Sequence, residues 1–315
     1  MRIAIMENKN RIDNLITALT ILSSGGIPIL LYSGILPSQF SVANNGLDGG
    51  DLMAAVLSGG VPHPSGYPTY LLFARLFQQL PWESPFYKGA LLSFVSAVIT
   101  IFMAGLLTLW MGREKKRGVA GIFTGLCLSA ASLFISQAVI VEVYALQSLF
   151  VICYLIWLWL AVEKDQATRS LLFTQAILAL LCGLALGNHV TIVFLIPLFV
   201  FGLAYLYKKG WPKIWLWLYL LFFLSGLLVY FYLPWLAKSY PPVNWGNPQS
   251  IDNLIWLVSG NLYQNNLFNL SAVQIWERLK ALSTFFLTNF GPFALFVGMM
   301  GGFNKEGHSR FNLAL

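Results

Sequence analysis

Eight apolar runs dominate the chain, at residues 14–36, 86–111, 119–139, 144–162, 171–186, 191–207, 214–235 and 282–303. Each is read as a helix of ~20 residues, the length that crosses the hydrocarbon core of a bilayer. The fifth and sixth are divided only by Gly187-Asn188-His189-Val190. They form either one long run or two spans joined at the membrane edge, and Asn188 with His189 favours a turn. The pattern predicts an all-α fold, a polytopic transmembrane helix bundle occupying residues 1–315 as a single domain. Two long stretches, 37–85 and 236–281, separate spans on one side of the membrane. Residues 52–57 form a short apolar helix in the first. Residues 69–80 place Tyr70, Phe73, Phe77 and Leu80 at helical spacing with Arg75, Gln78 and Gln79 elsewhere, which predicts an amphipathic helix lying in the membrane surface.

Composition agrees. Hydrophobic residues make up 57% of the 315 and charged residues only 10%, against about a quarter in soluble domains. The net charge of +7 does not form one basic face for nucleic acid. It lies in short clusters between the apolar runs. With the N-terminus inside, 14 of the 19 Lys and Arg residues fall on the inner side and 5 on the outer, a positive-inside asymmetry that predicts cytoplasmic termini in a cell (inner) membrane. The inner set includes Arg113, Lys115, Lys116, Lys305 and Arg310. The outer set is Arg75, Lys88, Lys238, Arg278 and Lys280. The first run has a charged lead and no small-residue cleavage site after it, so it reads as a retained helix rather than a signal peptide. Cys127, Cys153 and Cys182 all lie inside apolar runs and read as packing residues.

The outer side gathers the unusual chemistry. Asp48 and Asp51 flank paired glycines. His63 sits in Pro62-His63-Pro64-Ser65-Gly66-Tyr67-Pro68, a turn fixed by three prolines. Glu142 and Tyr144 fall between the third and fourth runs, Asn188 and His189 between the fifth and sixth, and Asn244 and Trp245 in the second long stretch. Threading alone puts all of these at one membrane face. Each also has a plain reading. The aspartates serve as turn or helix-capping residues, with a divalent metal ion as a further use of Asp51. His63 is a surface-loop residue, Glu142 an interfacial carboxylate with its charge in water, His189 a helix-end residue, and Trp245 an interfacial anchor.

The ordered motifs resemble a family. They are Asp48-Gly49-Gly50-Asp51, the His63–Pro68 run, Glu142-Val143-Tyr144-Ala145-Leu146, Gly183–His189, and Tyr232-Leu233-Pro234 with Pro241–Pro248. Over roughly residues 45–270 the chain is similar to the mostly bacterial family that includes the transmembrane O-mannosyltransferase acting on plexin-type receptors, within the GT-C superfamily, and it reads as a bacterial member. Two positions depart from the family pattern, Asp51 in place of Glu and Ser65 in place of a second Pro. Members are longer, so the chain reads either as a fragment or as a form lacking the acceptor-binding part.

The resemblance implies a GT-C-like bundle and a glycosyltransferase. The donor is a polyprenyl-phosphate-linked sugar and the acceptor a protein or glycan hydroxyl. Asp48 is implied as general base with Asp51 as its partner, and His63, Tyr67, Arg75, Glu142, Tyr144, Asn188, His189, Asn244 and Trp245 as substrate-binding residues. The charge on the leaving phosphate needs a cationic or hydrogen-bonding partner, for which Arg75, His63, His189, Lys238, Arg278 and Lys280 are the outer candidates. No glycine-rich phosphate loop is present, in keeping with a donor that is not a nucleotide. The rival readings are a transporter or flippase of a lipid-linked substrate, which needs polar groups near the bilayer midplane, and a non-catalytic membrane subunit.

Overall fold

The computed structural model describes residues 2–82, 84–111, 117–165, 168–264 and 270–303. Among the inner basic residues, Arg113, Lys115, Lys116, Lys305 and Arg310 lie outside the described residues. Among the described residues, seven helices are long and apolar enough to cross a membrane, or eight if one bent pair forms a span. No strand occurs among the described residues, so the chain is a polytopic helical bundle.

The N-terminal span joins α1 (Arg2–Ile21) to α2 (Ile27–Ser33) through a π-helical segment, Leu22–Gly26. Two short helices follow, α3 (Gly49–Ser58) and α4 (Pro68–Gln78), before the long α5 (Pro85–Met111). The third apolar run is not one straight helix. Residue Ala131 adopts an extended conformation (φ −65°, ψ 118°) and separates α6 (Arg117–Ala130) from α7 (Ser132–Ala138) at an angle of 64°. One free amide in the opening turn of α7 is met from a distance: Asn289 Oδ1 accepts Leu133 N–H at 2.8 Å, and also the Ser132 hydroxyl at 3.0 Å.

Helices α8 (Tyr144–Glu163) and α9 (Arg169–Leu186) are followed by a 3₁₀ turn, Val190–Leu195, leading into α10 (Ile196–Lys208). The fifth and sixth runs are therefore two spans. Next come α11 (Lys213–Gly226), α12 (Tyr232–Ala237), the short α13 (Ile251–Val258) and α14 (Asn261–Gln264), and α15 (Ala272–Phe303), which is interrupted at Gly291. The last helix starts about ten residues before the apolar run at 282, because its amphipathic first turns are helical too.

Lipid supplies no hydrophobic drive between spans, so close packing must hold them. Helices α9 and α11 meet through facing glycines. A methyl group on Gly183 would lie 1.9 Å from Phe223 O, and one on Gly226 would lie 2.5 Å from Leu184 N. The amphipathic helix is placed differently from the sequence expectation. On α4, Tyr70, Leu71 and Ala74 are fully buried, while Leu72 and Leu76 face outward. The helix packs into the protein, and its start is pinned to the end of α9: Thr69 N–H donates to Gly187 O at 2.9 Å and Thr69 Oγ–H to Leu184 O at 2.6 Å. This tie draws Tyr67 and the Asn188-His189 turn together.

Candidate functional site

The two long stretches meet at one end of the bundle. Val61 N–H donates to Val243 O at 2.9 Å and Trp245 N–H to Val61 O at 3.1 Å, an isolated parallel bridge between distant segments. This contact places Asn244 and Trp245 beside α3.

His63 is the hub. After α3 the chain doubles back, so that His63 lies against the first turn of that helix. The Oδ2 atom of Asp51 accepts both the backbone N–H of His63 at 2.9 Å and ring Nδ1–H at 2.7 Å. On the other oxygen, Oδ1, Asp51 accepts Trp245 Nε1–H at 3.0 Å. Both oxygens of Asp51 are thus engaged in positioning. The helix-cap reading of the two aspartates is not what the structure contains: Asp48 occupies the N-cap position of α3, yet its side chain makes no capping bond. Nor does the donor pattern around Asp51 suit a metal ion, since three N–H groups point at its oxygens. Among the described residues no group of three or more His, Cys, Asp or Glu could hold one.

Beyond the imidazole, Nε2 of His63 faces the Tyr67 hydroxyl at 3.1 Å and Asp48 Oδ2 at 3.6 Å. Tyr67 reaches it because its backbone is left-handed (φ 44°) just before Pro68 opens α4. The phenol has one proton, and Pro64 O lies within reach at 3.3 Å. If that carbonyl takes it, the phenol oxygen accepts from a protonated Nε2. Burial disfavours the imidazolium, but the bond to Asp51 and the charges of Asp48, Asp51 and Glu142 outweigh it and raise the pKa of His63. Burial likewise raises Asp51, and the His63 and Trp245 hydrogen bonds more than reverse it, holding the carboxyl below its usual range. His63 is only 10% exposed, so it is not a surface-loop residue, whereas Asp48 is 52% exposed.

Glu142 is 2% exposed, which corrects its reading as an interfacial carboxylate in water. Burial, reinforced by the nearby charge of Asp48, pushes its pKa up to about 7. Asn188 is buried as well; its Nδ2 donates to Val143 O at 3.2 Å and Gln147 Oε1 at 2.9 Å. The Oδ1 atoms of Asn188 and Asn244 are buried acceptors with no partner among the described residues. His189 caps the 3₁₀ turn, with Nδ1 2.8 Å from Thr191 Oγ1. Its ring lies 6.0 Å from that of Tyr67 and 5.7 Å from that of Tyr144. Burial and the charge of His63 lower its pKa.

One expected phosphate partner is elsewhere. Arg75 serves the far end of α3, donating to Val56 O and Ala55 O at 3.3 Å each and to the Tyr232 hydroxyl, over whose ring it stacks. The carbonyls that close a helix need donors, and Arg75 supplies them. Lys280 pairs with Glu277 on its own helix at 2.9 Å. Lys238 and Arg278 are exposed, and neither joins the cluster among the described residues. A cavity of about 740 Å³ lined by Ile16, Met103, Leu109, Trp110, Trp159 and Lys164 lies at the opposite end and touches none of this chemistry.

Sequence reasoning gave no role to Gln147 or Tyr263, and it read Gly49 only as a motif glycine and Tyr70 only as an apolar position of an amphipathic helix. Tyr263 senses the charges of Asp48 and Asp51, though burial is the larger cause of its raised pKa. Gly49 is legible only in three dimensions: a methyl group there would sit 2.8 Å from Val141 O, so only glycine lets the Asp48 loop lie on the segment carrying Glu142.

Residues 48–214 match the family described as Protein O-mannosyl-transferase TMEM260 N-terminal domain. Protein O-mannosyl-transferase TMEM260 of Mus musculus is 34% identical over 200 residues, covering 62% of this chain and 27% of the mouse protein. The Dictyostelium discoideum protein named Protein O-mannosyl-transferase tmem260 is 23% identical over 230 residues, or 67% of this chain and 27% of its own length. The chain thus spans about a quarter of the length of these relatives. No solved structure matches. The matched residues begin at Asp48 and run past His189, taking in Asp51, His63 and Glu142 on the way, and the chain belongs to the family of the Protein O-mannosyl-transferase TMEM260 N-terminal domain.

Proposed function

We propose that the chain is the membrane-embedded catalytic part of a GT-C-type glycosyltransferase. It transfers a sugar, mannose being the first candidate from the names of its relatives, from a polyprenyl-phosphate donor to a hydroxyl of a protein or glycan. The charge asymmetry of the loops supports a site at the outer face. The observation that carries the reading is the division of labour among the carboxylates. Asp51 has both oxygens engaged and Glu142 is buried, whereas Asp48 is exposed and has Nε2 of His63 3.6 Å away. Asp48 is free to meet an acceptor hydroxyl.

In the reaction Asp48 takes the proton of that hydroxyl. The hydroxyl oxygen attacks the anomeric carbon, whose bond to the phosphate oxygen breaks, and the lipid phosphate leaves with the electron pair. His63 is the cation of the cluster. Held by Asp51 and Tyr67, it offers charge stabilisation without reorganising. The buried acceptors of Asn188 and Asn244 suit sugar hydroxyls. Against transport stands the placement of charge: in the candidate spans, charged side chains fall toward the ends rather than midway.

The test is incubation of the purified protein with a panel of polyprenyl-phosphate sugars and a serine/threonine peptide. Transfer should yield glycosylated peptide and free lipid phosphate in equal amounts. Movement of intact donor across vesicles without cleavage would support the flippase instead.

A further inference from the structure

The Asn188-His189 turn carries a chain of hydrogen bonds whose direction is fixed at one end. A backbone carbonyl can only accept, so Val143 O, 3.2 Å from the Asn188 amide, must face its NH₂ group. The same NH₂ group lies 2.9 Å from Gln147 on α8, which therefore turns Oε1 toward it. The NH₂ group of Gln147 is left to donate to Thr191 Oγ1, at 3.3 Å. Thr191 Oγ1 accepts there, so its own proton goes to Nδ1 of His189, 2.8 Å away. The backbone N–H of Thr191 also donates to Nδ1, at 3.3 Å. Both groups need an acceptor, so Nδ1 carries no proton. In a neutral imidazole the proton then sits on Nε2. Burial and the charge of His63 favour that neutral ring.

Among the described residues both hydrogen bonds of the ring fall on Nδ1, and Nε2 has no partner. The ring is half-buried and flanked by those of Tyr67 and Tyr144. Tyr67 is in turn 3.1 Å from His63, so this fixed donor stands at the cluster. A hydroxyl ligand bonds to either tautomer by turning its own proton and needs no such lock. An ionised phosphate oxygen only accepts, so it needs an N–H that is always present. We propose that His189 donates Nε2–H to a phosphate oxygen of the lipid-linked sugar, and that Gln147 is the positioning residue that fixes the proton there. The inference rests on the proposed function. It gives the leaving phosphate a neutral, preorganised donor beside the cation His63.

Two substitutions at His189 separate binding from capping. The amide of Asn reaches the place of Nδ1, so His189→Asn keeps the acceptor for Thr191 N–H and loses the outward donor. The longer amide of Gln reaches the place of Nε2, so His189→Gln keeps the donor and gives up the cap. The probe is farnesyl phosphate, with farnesol as the control lacking phosphate, and binding is read by calorimetry on the full chain in detergent. His189→Asn should unfold at the wild-type midpoint yet bind farnesyl phosphate roughly tenfold more weakly or worse. His189→Gln should bind it nearly as wild type although its midpoint falls. Farnesol should not distinguish the variants. Histidine-selective ¹⁵N NMR of the protein without ligand should find the His189 proton on Nε2. In Gln147→Glu the carboxylate takes the Thr191 hydroxyl proton, the relay reverses, and the Nε2–H population should drop. Wild-type affinity in His189→Asn would overturn the proposal, as would a His189 ring found with its proton on Nδ1 or a Gln147→Glu protein with an unchanged tautomer. The expected binding pattern in a chain that transfers no sugar would overturn the proposed function and leave the phosphate site standing.

Discussion

Replacing Asp51 by Asn tests whether this carboxylate is the anchor of the cluster. Asp51 accepts three N–H groups, two from His63 and one from Trp245. An amide has one acceptor oxygen. With that oxygen toward His63, its NH₂ group meets the Trp245 N–H and the third bond is lost. The indole is 42% exposed, so water replaces that bond at little cost. The two His63 bonds survive but lose charge assistance, and His63 is too buried for water to compensate. Bonds to a charged group are worth ~1.5–3 kcal/mol and neutral ones about 1 kcal/mol, so the variant should lose roughly 1–3 kcal/mol. The pH dependence has a definite sign. The folded pKa of Asp51 is depressed, so its contribution is complete above the unfolded value and is lost as pH falls through the folded one. That of His63 is raised, so its contribution is complete below its ordinary value of 6.5 and is lost as pH rises through the folded one. Unfolding midpoints measured across pH in one detergent should decline on both sides for the wild type. Asp51→Asn should flatten the acid side and shrink the other, and histidine-selective NMR should show His63 titrating at lower pH. An unchanged midpoint with an unchanged His63 titration would refute the reasoning.

Two further outcomes follow from the same geometry. Arg75→Met leaves the closing carbonyls of α3 and the Tyr232 hydroxyl without their donor, so it should cost ~1–3 kcal/mol in a denaturation assay; the folded fraction should keep the wild-type KM for donor, because Arg75 is not at the cluster. Gly49→Ala forces a methyl group against Val141 O and moves Asp48, so kcat should fall by ~100-fold if a shift of about 1 Å decides positioning, as read in single-turnover transfer.

The spans were legible because twenty apolar residues in a row have few other solutions. The break at Ala131 was not. Ala130-Ala131-Ser132 contains no helix breaker, and Asn289, far along the chain, accepts the freed Leu133 amide and the Ser132 hydroxyl. The cluster was legible as a set, since alternate threading brings every second connection to one face. Its internal roles were not, because they depend on contacts between remote segments. Asp51 looked like a helix cap until Trp245 came to meet it across 194 residues. Arg75 looked like a phosphate ligand until α3 claimed its donors. Glu142 looked solvated because a membrane-edge position says nothing of what packs above it, which here is the glycine-lined loop of Asp48.

The central claim is that Asp48 is the base of a sugar transfer. The direct measurement is the transfer rate of purified Asp48→Asn, with the preferred polyprenyl-phosphate sugar and a hydroxyl peptide, beside wild type and Asp51→Asn. Asp48 is exposed and makes no capping bond, so the Asn variant should unfold at the wild-type midpoint. Its turnover should fall by ~100-fold or more, the range of general-base contributions. Wild-type turnover by Asp48→Asn, with the loss appearing instead in a normally folded Asp51→Asn, would contradict the account.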